Sequence, residues 1–402
     1  MERKLKVLLV HNYYRIPGGE DTVAANEKAL LEQHGHEVVT YFRRNEEISS
    51  MSLLGKLMLP LTSIFNPRTY REVRRIIREQ NIDVVHVHNW LALVSPAVYY
   101  AARSCGVPVV QTTHNYRLQC PEGSFFRGGQ ICTDCVQHGL RCSLRHRCYR
   151  NSLAQTLVCV LSLRIHRLTG IYRKLHYVCM TGFNRRKLEE ANEAAGRELF
   201  CPQRMHEKPH FTFAEAAPAP AAAERDTYLF IGRVERIKGM QVLIDAFAAM
   251  PDRRLVVAGT GLAFDEYAAA AKERGCSNIT FAGFQNREQL LGLMARAKAV
   301  IVPSQYYEPF GMVIIEAYAQ GLPVLAGRVG GFPLLVKEGK TGLLFTYDSA
   351  DALCEAVQRF ETTEGVDWAA ETRAEYEANY TPEANYRRLI AVYEAALADV
   401  PS

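Results

Sequence analysis

Ala299-Val-Ile-Val-Pro-Ser304, followed closely by Glu308-Pro-Phe-Gly-Met-Val-Ile-Ile-Glu316, is the stretch on which the fold reading turns. An apolar run of strand length passes through a Pro-Phe-Gly turn into an apolar helix, as in a parallel αβ unit. Eight positions correspond to about 800° of helix, so the two glutamates do not share one helical face. Glu308 belongs to the loop and Glu316 to the helix. The N–H groups near Gly311, Met312 and Val313 are expected to lack intrahelical partners, an arrangement that favours anions and phosphate above all. A carboxylate on either side of such a cradle accepts from hydroxyl groups. Taken alone, the pair is equally what charges flanking an ordinary amphipathic helix look like.

The surrounding segments narrow the choice. Tyr228-Leu-Phe-Ile-Gly-Arg-Val-Glu-Arg-Ile-Lys-Gly239 reads as a strand, a turn at Gly232, then Arg233 and Lys238 leading into a helix over Met240–Met250. Leu255-Val-Val-Ala-Gly-Thr-Gly261 is a strand with a glycine-rich exit, and Phe281-Ala-Gly283 closes another. Strand-end glycines let a backbone approach a ligand closely. The first half alternates in the same way. Strands are expected at Val7–Val10, Glu37–Thr40, Asp83–His88 and Val107–Thr113, with helices around Thr22–Gln33 and Arg68–Glu79. Gly18 and Gly19, His88 and His114 all fall beyond strand ends, where open parallel sheets gather ligands. From these residues alone the chain is an α/β protein that binds a phosphorylated ligand.

Four features in this order carry a resemblance: the Gly18-Gly19 turn, Thr113-His114, Gly232-Arg233 with Lys238-Gly239, and Glu308 with Glu316. Together they resemble the family 4 retaining glycosyltransferases. The resemblance implies a GT-B fold, two Rossmann-like doubly wound parallel-sheet domains facing across a cleft, with a C-terminal helix crossing back. The implied divisions are an acceptor-side domain over 1–213, a linker over 214–226, a nucleotide-sugar domain over 227–380 and a final helical segment over 381–402. Ala214-Glu-Ala-Ala-Pro-Ala-Pro-Ala-Ala-Ala223 is the compositional sign of the linker.

The resemblance also implies roles. Arg233 and Lys238, with the N–H groups of Gly311, Met312 and Val313, would stabilise the departing diphosphate of a UDP- or GDP-sugar. The plain alternative is a surface Arg and Lys on a turn. Glu308 would hold donor-sugar hydroxyls and Glu316 the ribose. Phe310 lies in the same loop, and Gly261 at the exit of the preceding strand completes the donor set. His114 would stand near the donor sugar, or be no more than a satisfied loop histidine. Gly18 and Gly19 would let the loop backbone reach the sugar or diphosphate, unless they form a simple reverse turn after Pro17. No Asp-x-Asp motif appears, so no catalytic metal is expected.

Cys120, Cys132, Cys135, Cys142 and Cys148 crowd one segment within an insertion over 115–150. Their spacing suits a structural zinc on Cys120, Cys132, Cys135 and Cys148, with Cys142 or His146 able to replace one ligand. Free thiols or a redox pair are the competing reading. Similar insertions occur in some bacterial polysaccharide transferases.

The formal net charge of +5 conceals an asymmetry. Residues 1–225 hold 31 Lys and Arg against 20 Asp and Glu, a balance of +11, and the remainder holds 17 against 23, a balance of −6. From Cys135 to Leu188 there is no acidic residue but eleven Lys or Arg. Interleaved with Leu153-Ala-Gln-Thr-Leu-Val-Cys-Val-Leu-Ser-Leu163, this segment could lie on an anionic membrane surface or be a buried helix. No run reaches the roughly 18 apolar residues of a membrane span, and Met1-Glu-Arg-Lys leads straight to a strand. The expectation is a cytoplasmic enzyme, peripheral at the membrane, that moves a hexose to a glycan or lipid-diphosphate-linked acceptor. A nucleotide-sugar epimerase, a non-catalytic nucleotide-sugar-binding protein and a zinc-dependent nucleic-acid-binding protein are the alternatives.

Overall fold

The computed structural model describes residues 3–15, 18–213 and 225–399. Pro17 and the Ala214–Ala223 stretch lie outside the described residues. The rest divides into two compact units. The first falls within Met1–Phe125, Cys132–His210 and Pro382–Ser402, and the second within Phe126–Ile131 and Phe211–Thr381.

The first unit is built on strands β1 (Lys6–Tyr13), β2 (Glu37–Arg44), β3 (Val84–Val87) and β4 (Val109–Thr112). It also holds β7 (His176–Cys179) and β8 (Met205–Glu207), while a short antiparallel pair, β5 (Phe126–Arg127) and β6 (Gln130–Ile131), falls in the second unit. The main sheet runs β2-β1-β3-β4-β7-β8, all parallel. Every residue of β3, β4 and β7 is buried, as expected for strands covered by helices on both faces. The helix Pro67–Gln80 shows how local sequence sets such an element. Asn66 Oδ1 accepts from the Arg68 N–H at 3.0 Å, Pro67 opens the first turn, and Asn81 ends it in the left-handed region at φ 53°. Its Val73 and Ile77 face the core, each burial contributing about 1.5–3 kcal/mol.

The second unit contains β9 (Thr227–Ile231), β10 (Arg254–Ala258), β11 (Ile279–Gly283), β12 (Ala297–Val302), β13 (Val324–Gly327) and β14 (Gly342–Phe345). Its order is β11-β10-β9-β12-β13-β14, again all parallel. Strand order therefore reverses between β1 and β3 in one sheet and between β9 and β12 in the other. Loops leaving the carboxyl ends of such neighbouring strands diverge and leave a crevice for ligand. The helix Pro382–Ala398 belongs to the first unit. Tyr386 Oη lies 2.8 Å from His36 Nε2, and Tyr393 Oη lies 2.8 Å from His86 Nδ1.

Candidate functional site

In the second unit the loops after β9 and β12 bring the expected residues together. Gly232, at φ +153°, donates its N–H to Ala258 O at 3.0 Å. Gly261 passes so close to the first loop that a Cβ there would stand 2.4 Å from Val234 O. Gly239 is left-handed at φ +78°, and a Cβ would come within 2.0 Å of Pro303 O. Only glycine permits these crossings, which hold the Arg233–Lys238 segment against the end of β12.

Lys238 Nζ lies 2.8 Å and 3.0 Å from the two carboxylate oxygens of Glu308. Tyr306 Oη donates to Glu308 Oε1 at 2.7 Å, and Ser304 Oγ donates to Oε2 at 3.0 Å. The Glu308 side chain is 14% exposed. Burial pushes its carboxyl up, but Lys238 and the two hydroxyls outweigh that and hold it below the usual range. A buried carboxylate that stays ionised is the result.

Gly311 caps the helix Met312–Ala319 at φ 114°. The Gly311, Met312 and Val313 N–H groups make no hydrogen bond among the described residues, whereas Ile314 N–H already bonds to Gly311 O at 3.0 Å. Phe310 is buried beneath this turn. Glu316 projects from the first turns of the helix and accepts no hydrogen bond among the described residues. Burial raises its carboxyl, with Arg287 acting weakly the other way. Arg233 is about half exposed and pairs with Glu235 at 3.1 Å.

Sequence reading missed three contributors. Ser304 and Tyr306 hold Glu308 but carry no motif. Gly330, left-handed at φ +59°, packs so tightly that a Cβ would sit 2.7 Å from both Glu308 N and O. The neighbouring Gly331 N–H bonds to Glu308 O at 3.1 Å. The Val329-Gly330-Gly331 loop after β13 therefore buttresses the Glu308 backbone, and its Gly-Gly pair was a legible signal.

In the first unit, Asp21 ties the Gly18 turn to β1. Its Oδ2 accepts from Gly18 N–H at 2.9 Å and its Oδ1 contacts His11 Nε2 at 2.6 Å. Gly18 has an extended φ of −134°, so glycine is not needed for conformation. A Cβ on it would meet nothing within 4 Å, and the turn's outer side is open. Gly19 begins the helix Gly19–Gln33. His114, half-buried after β4, touches His88 Nδ1 through its Nε2 at 2.9 Å.

Behind these lies a network that sequence reading did not anticipate. Glu27 and Lys208 are fully buried and paired at 2.6 Å. His86 and His88 nitrogens lie 3.5 Å and 3.4 Å from Glu27 Oε2. This trio presents ligand-type atoms within 4.8 Å of one another. It does not fit a metal, because Lys208 already neutralises Glu27 and both His86 nitrogens are engaged, by Tyr393 and by Thr112 Oγ1 at 2.8 Å.

Cys120, Cys132, Cys135 and Cys148 do not form a four-sulfur ligand set among the described residues. Cys135 lies near enough to Cys120 and Cys148 for their charges to interact, with burial chiefly pushing its thiol up to about 12. Cys132, which follows the β5–β6 pair, donates its N–H to Phe125 O at 2.7 Å. The spacing-based zinc set is thus not what this arrangement presents.

Comparison with known proteins gives these sites a context. The model "Glycosyl transferases group 1" matches residues 213–381, and "Glycosyltransferase Family 4" matches residues 17–146. The D-inositol 3-phosphate glycosyltransferase of Mycolicibacterium smegmatis is 29% identical over 328 residues, covering 79% of this chain and 68% of that one. Its namesake from Corynebacterium diphtheriae is 36% identical over 187 residues, 42% of this chain and 43% of the relative. Among solved structures, Anabaena Alr3699/HepE in complex with UDP and glucose superposes with a TM-score of 0.65 at 19% identity, over 97% of this chain and all of that one. A glycosyltransferase from Rickettsia africae gives 0.68 at 17% identity, over 99% of this chain and all of that one. The chain belongs to glycosyltransferase family 4 and has the GT-B fold, the scaffold on which that family transfers a sugar from a nucleotide-sugar donor.

Proposed function

We propose that this enzyme moves a hexose from a UDP- or GDP-sugar, with retention, onto a glycan or a lipid-diphosphate-linked acceptor. The observation that carries the donor half is the Lys238–Glu308 pair beside the open N–H groups of Gly311–Val313, at the β9/β12 reversal. Lys238 rests on the Glu308 carboxylate and Arg233 on that of Glu235. A bound diphosphate competes for both cations, and the helix N-terminus supplies further donors. These groups meet charge that grows as the glycosidic bond breaks, so they act mainly on turnover. Glu308 accepts from hydroxyls of the donor sugar and Glu316 from the ribose, and His114, Gly18 and Gly19 are kept as donor-binding residues. The cysteine group is assigned a structural part, and metal analysis of the purified protein tests the zinc set Cys120, Cys132, Cys135 and Cys148 expected from spacing.

Two helices support a membrane-proximal acceptor. Leu53–Ile64 exposes Leu53, Leu54, Leu57, Met58 and Leu61, and it packs on Leu153–Leu168, which exposes Leu153, Leu157, Leu161, Ile165 and Leu168. Lys56 and Arg164 are exposed on the same helices. An apolar surface rimmed with cations suits the face of an anionic bilayer. No helix among the described residues is long and apolar enough to cross one. A second reading, an inositol phosphate acceptor, is favoured by the names of the mycobacterial and corynebacterial relatives.

The test is incubation with a panel of UDP- and GDP-sugars, scoring thermal shift and slow hydrolysis, then transfer to D-inositol 3-phosphate or to a lipid-diphosphate sugar. Stabilisation by none of the nucleotides would remove the donor assignment.

A further inference from the structure

Four imidazoles form a column inside the first unit. His86 stacks on His88 at 4.5 Å, His88 on His114 at 5.1 Å, and His114 on His210 at 5.1 Å, all within 30° of parallel. Burial keeps the rings neutral. It pushes His86 down to about 3 and drives His88, His114 and His210 well below the usual histidine value. A neutral imidazole has one N–H and one lone pair, so a chain of contacts through such rings fixes the tautomer of each.

The chain starts at Glu27. Its Oε1 accepts from Lys208 at 2.6 Å, while its fully buried Oε2 has no hydrogen-bond partner. His88 Nε2 faces that oxygen at 3.4 Å and is likewise buried without a partner. A lone pair on His88 Nε2 would set two buried acceptors against each other and leave both unmet. The proton therefore sits on Nε2, and His88 Nδ1 becomes an acceptor. His114 Nε2, 2.9 Å away, must then donate to it. That leaves the lone pair of His114 at Nδ1, which makes no hydrogen bond among the described residues.

We propose that Glu27 and His88 are positioning residues that lock His114 in its Nε2–H form, so that its Nδ1 lone pair receives a hydroxyl of the transferred sugar. The sugar half rests on the function proposed above; the tautomer half stands independently. His114 then discriminates by hydrogen-bond polarity, taking a ligand group that donates and disfavouring one that only accepts. Glu27 acts through His88, and Lys208 Nζ holds the other carboxylate oxygen at 2.6 Å.

The decisive measurement is a long-range proton–nitrogen correlation spectrum of the full chain labelled with 15N-histidine, the His114 signals being assigned by their loss in His114→Gln. A pyridine-type Nδ1 and a pyrrole-type Nε2 on His114 support the proposal, and the reverse pattern in the parent protein overturns it outright. His88→Phe keeps a ring but removes both nitrogens, and it should turn His114 into a mixture of tautomers. It should also lower kcat/KM for the preferred donor about tenfold, through kcat. His88→Asn, whose Oδ1 can take the place of Nδ1 as acceptor, should restore both readouts, which a merely structural role would not. An unchanged His114 tautomer in His88→Phe overturns the role of His88. The expected tautomer in a protein that turns over no nucleotide sugar would uphold the relay while removing the transferase donor reading.

Discussion

Lys238 and Glu308 meet through both carboxylate oxygens, at 2.8 Å and 3.0 Å, although they are 70 residues apart in the chain. Their pairing joins the loop after β9 to the loop after β12, the two strands between which the sheet reverses. Lys238→Met should lower kcat about 100- to 1,000-fold, the usual cost of losing one preorganised donor to a developing anion. KM for the donor should change much less. Steady-state kinetics with the preferred UDP- or GDP-sugar checks the split.

The same pair predicts a response to acid. Glu308 is held below its usual range in the folded protein, so its contribution is present at neutral pH and is lost as pH falls through the depressed value. Stability of the parent should drop below about pH 4.5 more steeply than that of Lys238→Met, in which the pairing is already gone. Denaturant titrations from pH 3 to pH 7 compare the two.

Glu316 runs the other way. Its carboxyl is raised in the folded protein, so ionisation at neutral pH works against folding, and this penalty grows as pH rises past the unfolded value. Glu316→Gln should raise the melting temperature of the unliganded enzyme at pH 7. It should also weaken nucleotide binding about 10- to 100-fold, as expected for losing hydrogen bonds to a charged acceptor. Calorimetry with UDP and GDP measures the second effect, and a tighter-binding variant would remove Glu316 from the ribose site.

Gly330→Ala tests the buttress under Glu308. A Cβ 2.7 Å from the Glu308 backbone and a left-handed φ leave no room for alanine. The substitution should cost about 1–3 kcal/mol of stability and displace the carboxylate. Activity should fall further than the fraction unfolded explains, as read by kcat at a temperature where the variant is still folded.

Leu57→Ser with Leu61→Ser addresses the exposed apolar helix. The double variant should bind anionic vesicles more weakly than the parent, and salt should release the parent too, because each nearby cation contributes about 1 kcal/mol. Co-sedimentation with phosphatidylglycerol vesicles at low and high salt gives the result. Parent protein that stays in solution at low salt would separate the acceptor from the membrane.

How much of this was legible in the chain depended on range. Strands such as Val84–Val87 and Arg254–Ala258 announced themselves as short apolar runs, the second with a glycine exit at Gly259, because parallel strands are buried on both faces. Glu308 and Glu316 were visible through the turn between them. Ser304 and Tyr306 were not, since a hydroxyl near a carboxylate has no sequence mark of its own. The Glu27–Lys208 pair spans 181 positions, and the histidine column draws on residues from 86 to 210. Such contacts arise only when the sheet assembles. The helix Leu53–Ile64 was passed over, and the fold leaves its Leu53, Leu54, Leu57, Met58 and Leu61 exposed. The cysteine spacing suggested four sulfurs at one point, and among the described residues they do not gather into a ligand group.

The helix Pro382–Ala398 hydrogen-bonds His36 and His86 through Tyr386 and Tyr393, so those two histidines acquire these partners only after 350 and 307 further positions have been synthesised. The second unit, whose segments from Phe211 to Thr381 are already translated by then, can mature ahead of the first. A nascent chain stalled before residue 382 should accordingly expose a half-finished amino-terminal lobe to proteases and chaperones.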